Sequence, residues 1–262
     1  MKNFRKYGKK PFNVAVLHGG PGAAGEMAPV AKELSNFFGI LEPLQTKTSI
    51  DGQTEELKNV IEKNGKLPIT LIGWSWGAWL GYLFAAKYPL LVKKLIIVSS
   101  GPFHQKYVKK MQELNMSRFN KKEKAQLEIL NESFNNPKLK NKNSLFAQFG
   151  KLFHRIESYN PINVKPEKHD IRLDIYQGVW PKAAELRKSG KLLKLGKEIK
   201  CPVVAIHGDY DTHPAEGVKK PLSKVIKDFK FILLKHCGHS PWIERDAKDE
   251  FYKILKKELT DN

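Results

Sequence analysis

A chain of 262 residues that is 41% hydrophobic and 28% charged can bury a sizeable core, which excludes a disordered or fibrous protein. The formal net charge is +19, from 46 lysines and arginines against 27 acids, and only six of the basic residues are arginine. Lysines spread singly along the chain, without arginine clusters or interleaved aromatics, make a solvated surface and argue against a nucleic-acid partner.

In chain order, "FNVAVLHGG" is a short apolar run ending in glycines, as a buried parallel strand does. The spacing of Met27, Val30, Ala31, Leu34 and Phe37 predicts a helix over 26–38. "GILEPL" reads as a second strand, and Asp51 as the N-cap of a helix running to the breaker "NGKLP". "ITLIG" is a third strand, followed by a helix over 76–88 that stops before Pro89. "KKLIIVSS", "CPVVAIHGD" and "KFILLKHCG" are the fourth to sixth strands, and an amphipathic helix over about 246–259 closes the chain. Strands alternating with helices predict an α/β fold with a mostly parallel sheet of about six strands flanked by helices.

Between the fourth and fifth strands the pattern changes. The stretch is helical and highly charged, with 18 basic and 9 acidic residues over 103–190 and no buried strand. It reads as a helical cap, 102–190, inserted into a core formed by 1–101 and 191–262. No apolar run approaches the roughly 18 residues of a spanning helix, and "VAVL" is too short for a signal peptide. Cys201 and Cys237 make no disulfide framework, so a cytoplasmic protein without a membrane span is expected.

Sites in open parallel sheets lie at the carboxyl ends of the strands, and three groups of chemically capable residues fall there. "GWSWG", Gly73 to Gly77, stands between a strand and a helix, the context of a nucleophile elbow that projects the Ser75 hydroxyl at a helix N-terminus. A serine nucleophile needs a histidine base held by a carboxylate. "HGDYDTHP" after the fifth strand offers Asp209 or Asp211, and "HCGHSPW" after the sixth offers His236 or His239. Asp209 could instead cap its turn, and His18, His207 and His236 read as braces of their loops. His236, Cys237 and His239 lack a further donor to complete a metal set, so neither a metal nor an organic cofactor is expected. Trp74, Trp180 and Trp242 are candidates to line an apolar or aromatic acyl site, with Trp76 beside them and Trp79 in the core.

Over nearly its full length the chain resembles the α/β-hydrolase superfamily. "HGGPG" at His18 to Gly22 with "SWGAW" at Ser75 to Trp79 is similar to the proline iminopeptidase and esterase branch. The resemblance points to Asp211, three residues after Gly208, as the acid, and to His239, after Gly238, as the base. It also implies an oxyanion hole from the backbone amides of Gly20 and Trp76, each such donor being worth about 3 to 4 kcal/mol in other enzymes. The implied activity is cleavage of a small ester, amide or short peptide through an acyl-enzyme. Alternatives on the same fold are an iminopeptidase-type aminopeptidase, a C–C bond hydrolase and a non-catalytic ligand receptor. The chain departs from the family in two ways. Its N-terminus leaves no room for the usual opening antiparallel strand pair, and its cap is basic, with Glu132, Glu157 and Glu185 the candidates to hold a substrate amine.

Overall fold

The computed structural model describes residues 3–136, 138–140, 142–163 and 170–261. The elements run β1 (Phe4–Tyr7), β2 (Phe12–Leu17), β3 (Ala23–Ala24), α1 (Ala28–Leu34), β4 (Gly39–Pro43), α2 (Ile50–Asn64), β5 (Ile69–Trp74), α3 (Trp76–Lys87) and β6 (Val92–Val98). There follow α4 (Val108–Arg118), α5 (Lys121–Asn135), α6 (Lys142–Glu157), β7 (Asp170–Ile171), α7 (Leu173–Lys188) and α8 (Lys191–Lys194). The chain closes with β8 (Val203–Gly208), α9 (Glu216–Leu222), β9 (Phe229–Leu234) and α10 (Lys248–Thr260).

The main sheet has seven strands in the order β1-β4-β2-β5-β6-β8-β9, parallel throughout except for β1. This is an α/β-hydrolase-type arrangement with one strand more than the sequence predicts. The additional strand is "FRKY", which pairs antiparallel with β4 at the sheet edge. Its charged residues mask it as a strand, because an edge needs no continuous apolar run and is protected by charge.

Alternation along the central strands builds a core on each face of the sheet. Val14, Val16, Ile72, Ile96, Val98 and Val204 point toward α1 and α10, where Met27, Leu34, Phe251 and Leu255 meet them. Ala15, Leu17, Leu71, Leu95, Ile97 and Val203 point the other way, onto α2 and α3. Helix α3 is apolar on every side because it lies against β2, β5 and β6 with α2 and the turn at 195–198 beside it.

Local endings differ from the sequence reading in two places. The α2 N-cap is Ser49, whose Oγ accepts from Gly52 N–H at 3.1 Å, and Asp51 sits in the first turn, where its charge suits the helix dipole. Helix α1 ends at Leu34, so Phe37 falls beyond it and is 63% exposed, while Met27, Val30, Ala31 and Leu34 are buried as expected.

Helices α4 to α7 lie between β6 and β8 in sequence. They hold a small core of their own around Phe119, Leu130, Leu152 and Ile156. Helix α7 also joins the main core through Ile175, Val179 and Ala183. Strand β7 pairs antiparallel with β3, tying this region to the loop after β2. The stretch "YNPINVKPEKHD", whose prolines and asparagines read as a break between helices, lies partly outside the described residues.

Candidate active site

The elbow between β5 and α3 has the geometry its glycines require. Ser75 has φ 53° and ψ −114°, a conformation that costs a non-glycine residue about 1–3 kcal/mol and persists only where the surroundings enforce it. Enforcement is visible at both glycines. A Cβ on Gly73 would stand 2.2 Å from the Gly77 carbonyl oxygen, and one on Gly77 2.2 Å from that of Leu17. The Ser75 N–H is anchored on Val98 O at 3.1 Å. Across 69–85 every residue is buried except Ser75, so the turn opens a packed strand and helix at this one residue. Trp76, first in α3, has no intrahelical acceptor for its N–H.

The "HGG" loop runs beside the elbow. A Cβ on Gly19 would lie 3.1 Å from the Ser75 Cβ and 2.5 Å from the Trp74 ring. Gly20 has φ +21° and its carbonyl accepts from Ala23 N–H at 2.9 Å. His18 is fully buried and braces the loop, its ring nitrogens 2.9 Å from Gly19 O and 3.0 Å from Leu44 O.

At the end of β8 the structure brings Asp211, not Asp209, to His239. His239 Nδ1 donates to Asp211 Oδ2 at 2.8 Å, and both residues are only 5% exposed. Asp209 is exposed and accepts from Cys237 N–H at 3.3 Å, which ties its loop to the one after β9 and does not cap its own turn. Asp211 Oδ1 is occupied too, by the His213 N–H and by His213 Nδ1, each at 2.9 Å. Burial works against the Asp211 charge, yet the neighbouring His239 and His213 and their hydrogen bonds hold it well below the usual carboxylate range. Burial likewise opposes a charge on His239, but Asp211, Glu157 and Glu26 outweigh it and raise the imidazole to about 9.

His239 is held on three further sides. Its carbonyl accepts from Trp74 Nε1–H at 2.8 Å, its N–H donates to Glu157 O at 2.9 Å, and its ring stacks on His213 at 4.6 Å. The Ser75 hydroxyl is not among the described partners of Nε2, a contact that in other enzymes often closes only around substrate. His207 donates from Nε2 to His213 O at 2.7 Å and braces the acid loop. His236 stacks on Tyr159 and Cys237 is buried, its thiol pushed up by burial.

Among the described residues, one group of metal-type donors converges, Asp211, His213 and His239, with ligand atoms within 4.8 Å. Both imidazole Nδ1 atoms already point a proton at Asp211, so the set is an intact hydrogen-bond network.

The tryptophans divide. Trp74 and Trp242 are buried and meet edge to face at 5.0 Å beside His239. Trp76 is buried and donates to Gln53 Oε1 at 2.9 Å. Trp180, from α7, is half-buried and stacks on Trp79 at 5.8 Å, with Tyr176 stacked beyond it. Of the three glutamates, Glu132 and Glu185 are exposed, and Glu157, at the end of α6, adds negative charge around His239. Two residues went unmarked in the sequence. His213 carried a weak signal, two residues after Asp211 in "DYDTHP", whereas Glu26 carried none.

A model of the alpha/beta hydrolase fold family matches residues 21–246, and the chain belongs to that family. It is 25% identical over 209 residues to the monoacylglycerol lipase ABHD6 of Bos taurus, covering 76% of this chain and 58% of the lipase. It is 30% identical over 105 residues to the cis-3-alkyl-4-alkyloxetan-2-one decarboxylase of Shewanella oneidensis, covering 35% of this chain and 33% of that protein. The chain thus spans about a third to 58% of the length of these curated relatives. In fold it is similar to the crystal structure of VinJ, with a TM-score of 0.72 at 17% identity, covering 98% of this chain and 93% of VinJ. The proline iminopeptidase of Mycobacterium smegmatis is similar at a TM-score of 0.63 and 17% identity, with the same coverage.

Proposed function

We propose that the protein is a serine hydrolase that cleaves a small ester or amide through an acyl-enzyme. The observation that carries the reading is a strained, partly exposed Ser75 after β5 together with a buried Asp211–His239 couple held after β8 and β9, at the same end of the parallel sheet. His239 takes the Ser75 proton as the oxygen attacks the carbonyl carbon, and Asp211 holds the ring with Nε2 free for that proton. The amides of Trp76 and Gly20 receive the oxyanion. His239 then protonates the leaving group and activates the water that releases the acid. Trp74 and Trp242 brace the histidine loop from their buried positions, which leaves the half-buried Trp180 as the indole with surface to offer an acyl group. Helices α4 to α7 act as the cap over this site.

A second reading, cleavage of an N-terminal amide, draws support from Glu157, whose carboxylate lies near the imidazole at the end of α6. One assay separates the two. Initial rates on a short-chain p-nitrophenyl ester and on prolyl-p-nitroanilide are compared for wild type and Ser75→Ala. A Ser75-dependent ester rate without anilide cleavage supports an esterase, and strong anilide cleavage supports the aminopeptidase reading. Full ester hydrolysis in folded Ser75→Ala ends both.

A further inference from the structure

Glu244 is fully buried where the chain leaves the turn 241–243, and among the described residues no lysine or arginine pairs with it. Its carboxylate instead accepts from three backbone N–H groups. Gly238 at 3.1 Å and Tyr159 at 2.9 Å meet Oε1, and Asn160 at 2.7 Å meets Oε2. A buried carboxylate needs such bonds, and donors that reach it from two segments are fixed to each other through it. Gly238 stands directly before His239, whereas Tyr159 and Asn160 follow the end of α6. One side chain therefore joins the His239 loop to the end of the inserted helices.

The fit around Gly238 leaves no slack. A Cβ there would stand 2.4 Å from Glu244 Oε1 and 2.1 Å from Glu157 O, the carbonyl that accepts from His239 N–H at 2.9 Å. Backbone pairing already holds 160–162 against 243–245. Arg245 N–H donates to Asn160 O at 3.0 Å, and Ile162 N–H to Ile243 O at 2.7 Å. What the carboxylate adds to that junction is the reach to Gly238, on the amino side of His239. Trp74 holds the His239 carbonyl and Asp211 holds its ring.

We propose that Glu244 is a positioning residue for His239, its carboxylate fixing to the end of α6 the backbone from which the imidazole projects. This role rests on the reading of His239 as the general base. Glutamine at 244 keeps the volume but turns one oxygen into an NH2 donor. Whichever way that amide lies, its NH2 opposes at least one of the three N–H groups. The loop before His239 is then free to shift while the backbone pairing at 160–162 remains.

The test compares kcat, KM and melting temperature on a neutral p-nitrophenyl ester for wild type, Glu244→Gln and Glu258→Gln. Glu258 is the control, a buried carboxylate on α10 paired at 3.5 Å with Lys94, near the amino end of β6 and so at the end of the sheet away from the site. The expected result is a kcat lower by about tenfold or more in Glu244→Gln with KM within about twofold, since small misplacements of a reacting group cost rate. Glu258→Gln keeps the wild-type kcat whatever it loses in melting temperature. Because His239 serves both acylation and deacylation, kcat carries the loss whichever is slower. Wild-type kcat in folded Glu244→Gln overturns the proposal, as does the same loss of kcat in both variants. If Glu244→Gln fails to fold, amide hydrogen exchange in wild type decides. Gly238 exchanging as slowly as Tyr159 and Asn160 supports the tether, and Gly238 exchanging like a free loop amide overturns it. Absence of ester hydrolysis in wild type sinks the hydrolase reading alone, because the exchange measurement needs no turnover.

Discussion

At the scale of the residue, the proposed chemistry turns on how much negative charge surrounds one imidazole. A base must be neutral to accept a proton, and His239 is raised to about 9, so it is cationic below that pH and free above it. Ester hydrolysis, read as kcat/KM, is therefore expected to climb through neutral pH and level off near 9. A flat profile from pH 6 upward would contradict the assignment of His239 as base. The same titration is a stability statement. The folded pKa lies above the ordinary value of 6.5, so the imidazolium's contribution is complete below about 6.5 and is lost as pH rises through 9. Glu26, also raised, acts in the same direction, since the native state holds a proton there that the unfolded chain has released. The urea midpoint should accordingly fall as pH rises from about 4.5 to about 9, and fall less in Glu26→Gln.

At the scale of the element, the loop after β2, the oxyanion loop of the proposed mechanism, is held from both sides. Strand β3 pairs with β7, Arg172 N–H donates to Gly22 O at 2.7 Å, and a Cβ on Gly22 would stand 2.1 Å from the Arg172 carbonyl oxygen. Gly22 also has φ +95°, where a side chain is strained. Gly22→Ala is therefore expected to cost about 1–3 kcal/mol and to part β3 from β7. Because Gly20 lies on the same loop, kcat/KM on the ester should drop more than the melting temperature alone accounts for. Wild-type turnover in that variant would show that the pairing has no bearing on the site. The elbow was the most legible element in the sequence, because its glycines are demanded by backbone contacts that no side chain can replace. Strand β1 was the least legible, since an edge strand of "FRKY" carries neither an apolar run nor a clean alternation. Phe37 misled for a related reason. Its spacing continued the helical stripe, but the helix had already ended at Leu34.

At the scale of the whole molecule, a surface with a net charge of +19 encloses a site whose own neighbours are acidic. Long-range steering and local recognition therefore have opposite signs. An anionic ester is drawn toward the protein at low ionic strength, and this attraction fades as the Debye length shortens from about 30 Å at 0.01 M to about 8 Å at 0.15 M. The expectation is that kcat/KM for a carboxylate-bearing p-nitrophenyl ester falls across that range while the value for a neutral ester holds. Equal salt dependence for both would mean that the lysine shell does not steer substrate.

The sequence by itself determined the α/β class, the placing of a serine, an acidic pair and a histidine pair after successive strands, and the glycine-flanked turn at Ser75. These are local or periodic properties: strand alternation, glycines where backbones meet, and chemistry placed after each strand. It left Asp209 and Asp211 to be separated by family resemblance. The tertiary structure decided between them by geometry, because only the folded loop turns Asp211 inward to His239 and His213 and leaves Asp209 on the Cys237 amide. It also decided the surroundings of His239. Glu26 and Glu157 are far apart in sequence, and the charge they impose on His239 depends on burial and on distances that no linear pattern encodes.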